Sequence, residues 1–211
     1  MNQSKKKILW MTQFSILMAI EMVFCFTPLG SLPITPTIVA TLSMVPVCIA
    51  AILLGTKAGS AMGLIAAVCS LLVWTFMPPN PVTAFAFTPF YSLGEFRGNF
   101  GSLLICFVPR ILTGTVTGLI HSALGKRNPK GETLGYALSS AVGSMVNTLG
   151  VVGGIWLFFG GQYERIFQKG ILALVGITIT ANGVPEAIVA ALASVMICKP
   201  VGMMMRRAEK R

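Results

Sequence analysis

Five polar side chains lie inside strongly apolar segments of this sequence, where their chemistry is least expected. Three are charged, namely Glu21, Arg110 and Glu186, and two are amides, Asn147 and Asn182. A charged group at the centre of a lipid bilayer costs at least about 2.5–3.5 kcal/mol on insertion scales. Asn182 and Glu186 are four residues apart, which places both on one face of a helix. Residues with this cost usually mark a functional site.

The chemistry open to this set is ligand binding. Arg110 follows Pro109 and can bind a carboxylate through two parallel hydrogen bonds. The two asparagines can form hydrogen bonds with hydroxyl or amide groups of a ligand. Two interpretations of the arginine stay open: an Arg110–Glu186 ion pair that only ties helices together, or a pair that also orients Arg110 for a ligand. Glu21 either reaches the outer membrane interface or takes part in binding.

Catalysis and metal binding are not expected. The chain has no aspartate and a single histidine, His121, at the wrong depth to serve the polar set, so a membrane-embedded enzyme lacks a nucleophile–base pair. The five cysteines form neither a CxxC motif nor a Cys/His cluster, which argues against a zinc site. We therefore predict no catalytic residue, no metal and no cofactor.

The elements that position these residues are predicted membrane spans. Of 211 residues, 55% are hydrophobic and only 10% are charged, against about 25% charged in soluble domains, and the mean hydropathy is +0.80. A helix needs about 20 apolar residues to cross the hydrocarbon core. We predict an all-α integral membrane protein, a compact bundle of six transmembrane helices forming one domain over residues 1–211. The predicted spans are about 8–27, 38–54, 58–77, 101–122, 134–159 and 170–198.

The basic residues set the predicted orientation. Twelve of the 16 Lys and Arg residues flank one set of span ends and three flank the other, and the richer side faces the cytoplasm. Both termini are therefore expected in the cytoplasm. Because the net charge of +10 is concentrated at span ends rather than on a soluble surface, we expect the lipid bilayer as a partner and no nucleic acid.

The predicted outer loops have unusual compositions. Residues 28–37 carry three prolines, and residues 78–100 are rich in Pro and Phe. The longer loop either dips into the outer leaflet or acts as a lid over an apolar pocket, and Trp74 beside it is suited to wall such a pocket. Glycines spaced four residues apart, at 55/59/63, 114/118 and 150/154, predict close helix packing.

Taken together, these segments resemble a known family, the substrate-binding S components of energy-coupling factor (ECF) vitamin transporters. The residues that carry the resemblance are FTPLGSLPITP, AAILLGTKAGSAMGLIAAVCSLL, the FAFTPF loop, VPRILTG, the Asn147–Thr148 pair and NGVPEAIVAA. They cover most of the chain, and their order and spacing are more specific than any single motif.

The resemblance implies a function. An S component captures a micronutrient from outside a bacterial plasma membrane and is not an enzyme; a transmembrane coupling subunit and two cytoplasmic ATPases supply the energy. The sequence looks most like the pantothenate-type branch, with folate, lipoate and a thiamine precursor left open as ligands. In the family the first helix carries small residues for the coupling subunit, here Ser15 and Ala19. The implied substrate-binding residues are Arg110, Asn147, Asn182, Glu186, Trp74, Asn80 and Phe87.

A second class of function stays open on the residues alone. A self-sufficient proton- or ion-coupled carrier would use Glu21 or Glu186 as its proton site. The sequence shows no internal repeat of the kind common in such carriers, which favours the S component. Transport without any partner protein would discriminate the two.

Overall fold

A computed structural model describes residues 3–27, 30–35, 38–124, 129–168 and 170–209. Over these residues the chain is a helical bundle with two short β-hairpins. The helices are α1 (Gln3–Phe26), α2 (Met44–Leu54), α3 (Thr56–Phe76), α4 (Phe100–Leu124), α5 (Pro129–Phe167), α6 (Ile171–Thr178) and α7 (Val184–Glu209), with a 3₁₀ helix at Pro81–Ala86 and a π-helical segment at Ile179–Gly183. The antiparallel hairpins pair β1 (Ser31–Thr35) with β2 (Ile38–Thr41) and β3 (Ser92–Leu93) with β4 (Phe96–Arg97).

Five helices of the described chain are long and apolar enough to cross a bilayer. They are α1, α3, α4, α5 and the continuous unit from α6 to α7. The second predicted span, 38–54, corresponds to α2, which has only 11 residues. At 1.5 Å per residue α2 is about 16 Å long, roughly half of the ~30 Å hydrocarbon core. The chain is thus a multi-pass membrane protein with five candidate spans and one shorter apolar helix.

The second predicted span, 38–54, was wrong over its first residues. Residues Ile38–Thr41 form strand β2, and the helix begins only at Met44. The strand pairs with β1, with Ser31 opposite Thr41. Ile, Val and Thr are β-branched and favour extended backbone, so this apolar run adopts a hairpin although its hydropathy matches a membrane helix.

Helix α2 lies at the centre of the bundle. It contacts α1, α3, α4, α5 and α7, and every residue from Pro46 to Ile52 is buried. A helix that is apolar all round is stable when it is covered on all sides. The shortest apolar helix is therefore the core around which the longer helices pack.

Helices α3 and α4 approach closely where two predicted glycine rows meet. A Cβ atom on Gly114 would overlap the backbone carbonyl of Gly59, and one on Gly63 would overlap the carbonyl of Arg110. The prediction of close packing is confirmed at these positions. Gly55 differs, because it has a φ of 96° between α2 and α3 and a Cβ there would meet open space.

The last span is interrupted near its middle. Between α6 and α7 the chain forms one π-helical turn over Ile179–Gly183, and Pro185 is the second residue of α7. Proline has no N–H and disrupts the α-helical bond to the residue four positions earlier. Extra residues in a helical turn of this kind often occur at functional sites.

Candidate functional site

A cavity of about 140 Å³ lies among α3, α4, α5, the α6–α7 unit and the loop after α3. One part of its wall is polar and is formed by the predicted residues Arg110, Asn147, Asn182 and Glu186 together with Thr148. Aliphatic side chains of α5 and α6 and aromatic rings form the remainder, for example Val151, Ile155, Leu174 and Phe167. An apolar cavity with a few convergent polar groups is the usual form of a small-molecule site.

Arg110 owes its position to the proline before it. Pro109 lies inside α4 and cannot donate to the carbonyl of Ile105, four residues earlier. Nη1 of Arg110 donates to that carbonyl at 3.4 Å and to the carbonyl of Cys106 at 2.7 Å. The side chain is buried, at 6% exposure, and its Nε has no hydrogen-bond partner. One edge of the guanidinium is therefore held by backbone carbonyls, and the Nε–H remains available as a donor.

The amide side chains of the cavity are also incompletely paired. Asn147 projects from α5 and Asn182 from the π-helical turn, and both are buried. The Oδ1 atoms of both residues are enclosed without a hydrogen-bond partner. Most buried polar atoms in proteins are hydrogen-bonded. Two buried oxygens without a partner at the wall of one cavity therefore indicate that a ligand donates hydrogen bonds to them.

Glu186 has a partner on the neighbouring helix. Thr148 Oγ1 donates to Glu186 Oε2 at 3.4 Å, which links α5 to α7 at the cavity wall. Nη1 of Arg110 donates to backbone carbonyls, and both interpretations of Arg110 and Glu186, a structural ion pair or a pair that also orients the arginine for a ligand, stay predictions.

Aromatic residues form the wall of the cavity nearest the predicted outer side. The rings of Trp74 and Phe87 stack with centroids 4.3 Å apart, and both residues line the cavity. The loop that carries Phe87 is fixed to the bundle through Phe85, which is fully buried and accepts a 2.7 Å hydrogen bond from Ser102 Oγ. The long loop thus packs into the bundle and contributes directly to the cavity.

The other predicted site residues lie elsewhere. Asn80 is not part of the cavity wall; its Oδ1 accepts a 3.0 Å hydrogen bond from the backbone of Val82 and caps the 3₁₀ helix. Ser15 and Ala19 are exposed on one face of α1, as a partner surface requires. Glu21 is completely buried, so the interpretation that it reaches the outer interface is wrong.

Sequence reasoning missed part of the cavity. Tyr163 and Thr83 line it but were not predicted as site residues. Tyr163 lies four helical turns beyond Asn147 in the unusually long α5, and the residues between them that line the cavity, such as Val151 and Ile155, repeat every four residues. That spacing was the available signal. Within the described residues, no group of three or more His, Cys, Asp or Glu side chains is arranged to hold a metal ion.

The fold and the cavity define a class, namely a multi-pass membrane protein that encloses a small-molecule site among its helices. A family model described as "ECF transporter, substrate-specific component" matches residues 10–198. The chain therefore belongs to the family of substrate-specific components of ECF transporters, as the sequence resemblance indicated.

Two relatives share substantial sequence with the chain. A protein of Lactococcus lactis subsp. cremoris named pantothenic acid transporter PanT is 30% identical over 166 residues, which are 78% of this chain and 76% of the relative. A protein of Leuconostoc mesenteroides subsp. mesenteroides named pantothenate transporter PanT is 31% identical over 163 residues, 72% of this chain and 69% of the relative. Both names describe a vitamin transporter.

Proposed function

We propose that this chain is the pantothenate-binding S component of an ECF-type importer in a bacterial plasma membrane. The observation that carries the proposal is the set of unsatisfied polar atoms at one cavity, on Arg110, Asn147 and Asn182. Family membership and the names of two relatives agree with it. In this proposal the chain acts as one membrane domain in which α2 counts as the sixth crossing, so both termini lie in the cytoplasm and the cavity lies on the outer side, under the loop after α3.

The chemistry of pantothenate suits the arrangement of the cavity wall. Pantothenate has a carboxylate at one end, an amide in the middle, and two hydroxyls and a dimethyl-substituted carbon at the other end. Arg110 binds the carboxylate through its free guanidinium donors. The Oδ1 atoms of Asn147 and Asn182 accept hydrogen bonds from the amide N–H and the hydroxyls, and the aliphatic and aromatic wall covers the dimethyl group.

Energy for uptake comes from partner proteins in this proposal. Ser15 and Ala19 are small and exposed on α1, and small residues let another membrane helix approach closely. This face contacts the transmembrane coupling subunit, which two cytoplasmic ATPases drive. The sequence carries no GxxxxGK[ST] phosphate-binding motif, and the proposal assigns ATP hydrolysis to the partner ATPases.

The test is ligand-dependent thermal stability of the purified chain against pantothenate, folate, lipoate and thiamine. A ligand at 100 times its dissociation constant stabilises a protein by about 2.7 kcal/mol, and we expect only pantothenate to raise the melting temperature. Stabilisation by a different vitamin, or by none, would overturn the ligand assignment. Pantothenate uptake into liposomes by the chain alone would instead favour the self-sufficient carrier.

A further inference from the structure

The guanidinium of Arg110 lies part-way along the cavity. Its Nη1 atom donates to the carbonyls of Ile105 and Cys106, so the group lies about one helical turn before Arg110 itself in α4. Helix α5 packs beside α4 in the opposite direction, and a Cβ atom on Gly154 would overlap the side chain of Ile105. The guanidinium is therefore level with residues 152–154 of α5.

Two arms of the cavity extend from that level. Asn147 and Tyr163 both belong to α5, and both line the cavity. At 1.5 Å per residue, Asn147 lies about 9 Å from the guanidinium level along the helix axis, and Tyr163 lies about 15 Å from it in the opposite direction. We call the part between Arg110 and Asn147 the inner arm, and the part between Arg110 and Tyr163 the outer arm.

Pantothenate is long enough to fill the inner arm alone. An extended chain spans about 3.3–3.6 Å for every three bonds, so the roughly eight bonds from the carboxyl carbon of pantothenate to its terminal hydroxyl oxygen span about 9–10 Å. With the carboxylate on Arg110, the amide and hydroxyls reach Asn182 and Asn147, whose Oδ1 atoms are buried without a partner. The outer arm then begins at the carboxylate of the bound vitamin.

The outer arm is lined mainly by apolar side chains. Gly183 packs on Thr148, since a Cβ atom there would contact the threonine side chain. Leu174 precedes Gly183 by nine residues and therefore lies about 14 Å further along the axis, in the outer arm. The other cavity residues that are aromatic or aliphatic and lie toward this end are Trp74, Phe87, Ile155, Phe167 and Val175. A wall of this kind suits an alkyl group.

The polar groups where the two arms meet suit an amide as well as a carboxylate. Nε of Arg110 is buried without a hydrogen-bond partner and can donate to a carbonyl oxygen. Thr178 lines the cavity and precedes Gly183 by about 8 Å of helix, which places it level with the guanidinium. Its hydroxyl donates to the Leu174 carbonyl at 2.8 Å, and the same oxygen can accept a hydrogen bond from an N–H. This donor and this acceptor match the C=O and N–H of a secondary amide.

We propose that the chain binds secondary amides of pantothenate, in which the carboxyl group carries an N-alkyl substituent, and that the substituent occupies the outer arm. The amide carbonyl accepts a hydrogen bond from Arg110 Nε–H, and the amide N–H donates to Thr178 Oγ1. The remainder of the ligand lies in the inner arm, as in the vitamin itself. The inference rests on the proposed function, because it takes the position of the carboxyl group from it.

The experiment measures the dissociation constants of pantothenate and of its N-methyl, N-propyl and N-pentyl amides for the full-length chain by isothermal titration calorimetry. Burial of each methylene should lower the dissociation constant about three- to fourfold, so the N-pentyl amide should bind roughly 100-fold more tightly than the N-methyl amide. The N-methyl amide should bind more weakly than pantothenate, because it lacks the charge that strengthens a hydrogen bond to arginine.

In variants, the readout is the ratio of the N-methyl to the N-pentyl dissociation constant, because any effect on the shared part of the two ligands cancels in it. Leu174→Trp fills the outer arm and should reduce this ratio to less than about threefold. Leu172→Trp is the matched control, since Leu172 lies two residues away in α6 and is 77% exposed; its ratio should equal that of the wild type. Leu174→Phe is a smaller change that should also lower the ratio, and it replaces Leu174→Trp if that variant does not fold.

The outcomes separate the two proposals. A ratio near one in the wild type, with pantothenate bound, would overturn the assignment of the outer arm and leave the proposed function intact. A large ratio that persists in Leu174→Trp would also overturn it, because the alkyl group would then lie in detergent or lipid. If neither pantothenate nor its amides bind, the proposed function fails and the inference fails with it.

Discussion

Helices α4, α5 and α7 each contribute to two buried polar regions, and the two regions differ in how well their polar atoms are satisfied. The cavity site consists of Arg110, Asn147, Asn182 and Glu186. The inner polar cluster consists of Cys48, Thr117, Ser140 and Ser194, all buried. It lies seven or eight residues along each of these helices toward their predicted cytoplasmic ends, or roughly 11 Å at the rise of an α-helix.

The inner polar cluster is satisfied from within. Ser140 Oγ donates to Ser194 Oγ at 2.6 Å, which joins α5 to α7. Cys48 Sγ is 3.6 Å from Thr117 Oγ1 and donates to the Ser140 carbonyl at 4.0 Å. In the cavity site, by contrast, Arg110 Nε and both asparagine Oδ1 atoms are unpaired. Buried polar groups that are satisfied hold helices together, and those left unsatisfied beside a cavity are available to a ligand.

The largest expected effect comes from Arg110→Ala. Removing one partner of a buried, hydrogen-bonded charge pair costs 2–5 kcal/mol or more, so the dissociation constant of pantothenate should rise roughly 30-fold or more. Isothermal titration calorimetry of the purified variant checks this. Arg110→Lys keeps the charge but loses the two-pronged geometry and should give an intermediate loss.

Arg97→Ala is the matched control for this prediction. Arg97 lies in strand β4 and is exposed, so the same chemical change there should leave the affinity unaltered. A melting-temperature measurement separates folding from binding, since the substitution also removes a buried side chain that hydrogen-bonds to two backbone carbonyls. Unchanged affinity in a folded Arg110→Ala protein would mean that the cavity site does not bind the carboxylate.

A smaller and more diagnostic effect is expected from Asn147→Ala. A neutral hydrogen bond contributes about 0.5–1.5 kcal/mol net, so affinity should fall roughly 2- to 12-fold. The ligand-free protein should not lose stability, because the substitution removes a buried acceptor that has no partner. Calorimetry and thermal unfolding of the same sample measure the two quantities.

Asn99→Ala should show the opposite pattern. Asn99 Oδ1 accepts a 2.7 Å hydrogen bond from the Gly101 backbone at the start of α4, and loss of such a cap costs about 0.5–2 kcal/mol. We expect a lower melting temperature and unchanged affinity. If Asn147→Ala also lost stability and kept its affinity, the distinction between satisfied and unsatisfied polar groups would fail.

The sequence predicted the features of the fold and of the cavity site that depend on the transfer free energy of side chains into lipid and on helical periodicity. Five spans follow from hydropathy, because the cost of burying polar groups in lipid outweighs local preferences. Asn182 and Glu186 reach one cavity wall because four residues make about one helical turn. The unsatisfied atoms could not be predicted, since they depend on which carbonyls Arg110 meets in the folded bundle.

Other features depend on tertiary contacts that one sequence does not encode locally. The strand at Ile38–Thr41 needs its partner β1, and apolar character alone does not separate it from a helix. Glu21 is buried because one face of α1 packs on α3 and α2, yet α1 is apolar on all faces, so no pattern indicated which face is covered. Asn80 is a polar residue in the loop beside the predicted pocket, so the sequence suggested a binding role. Its role as the N-cap of the 3₁₀ helix is visible only in the folded structure.

The smallest expected effect is from Ser194→Ala in the inner polar cluster. Ser140 loses its acceptor on α7, and hydrogen bonds between membrane helices average about 0.6 kcal/mol. The free energy of unfolding should fall by about that amount, while the dissociation constant of pantothenate changes less than about twofold. Ser122→Ala is the control, because Ser122 is exposed and its Oγ donates to the Leu119 carbonyl of its own helix. A tenfold loss of affinity in Ser194→Ala would extend the binding site into the inner cluster, and the ligand would then reach about 11 Å deeper than the cavity site indicates.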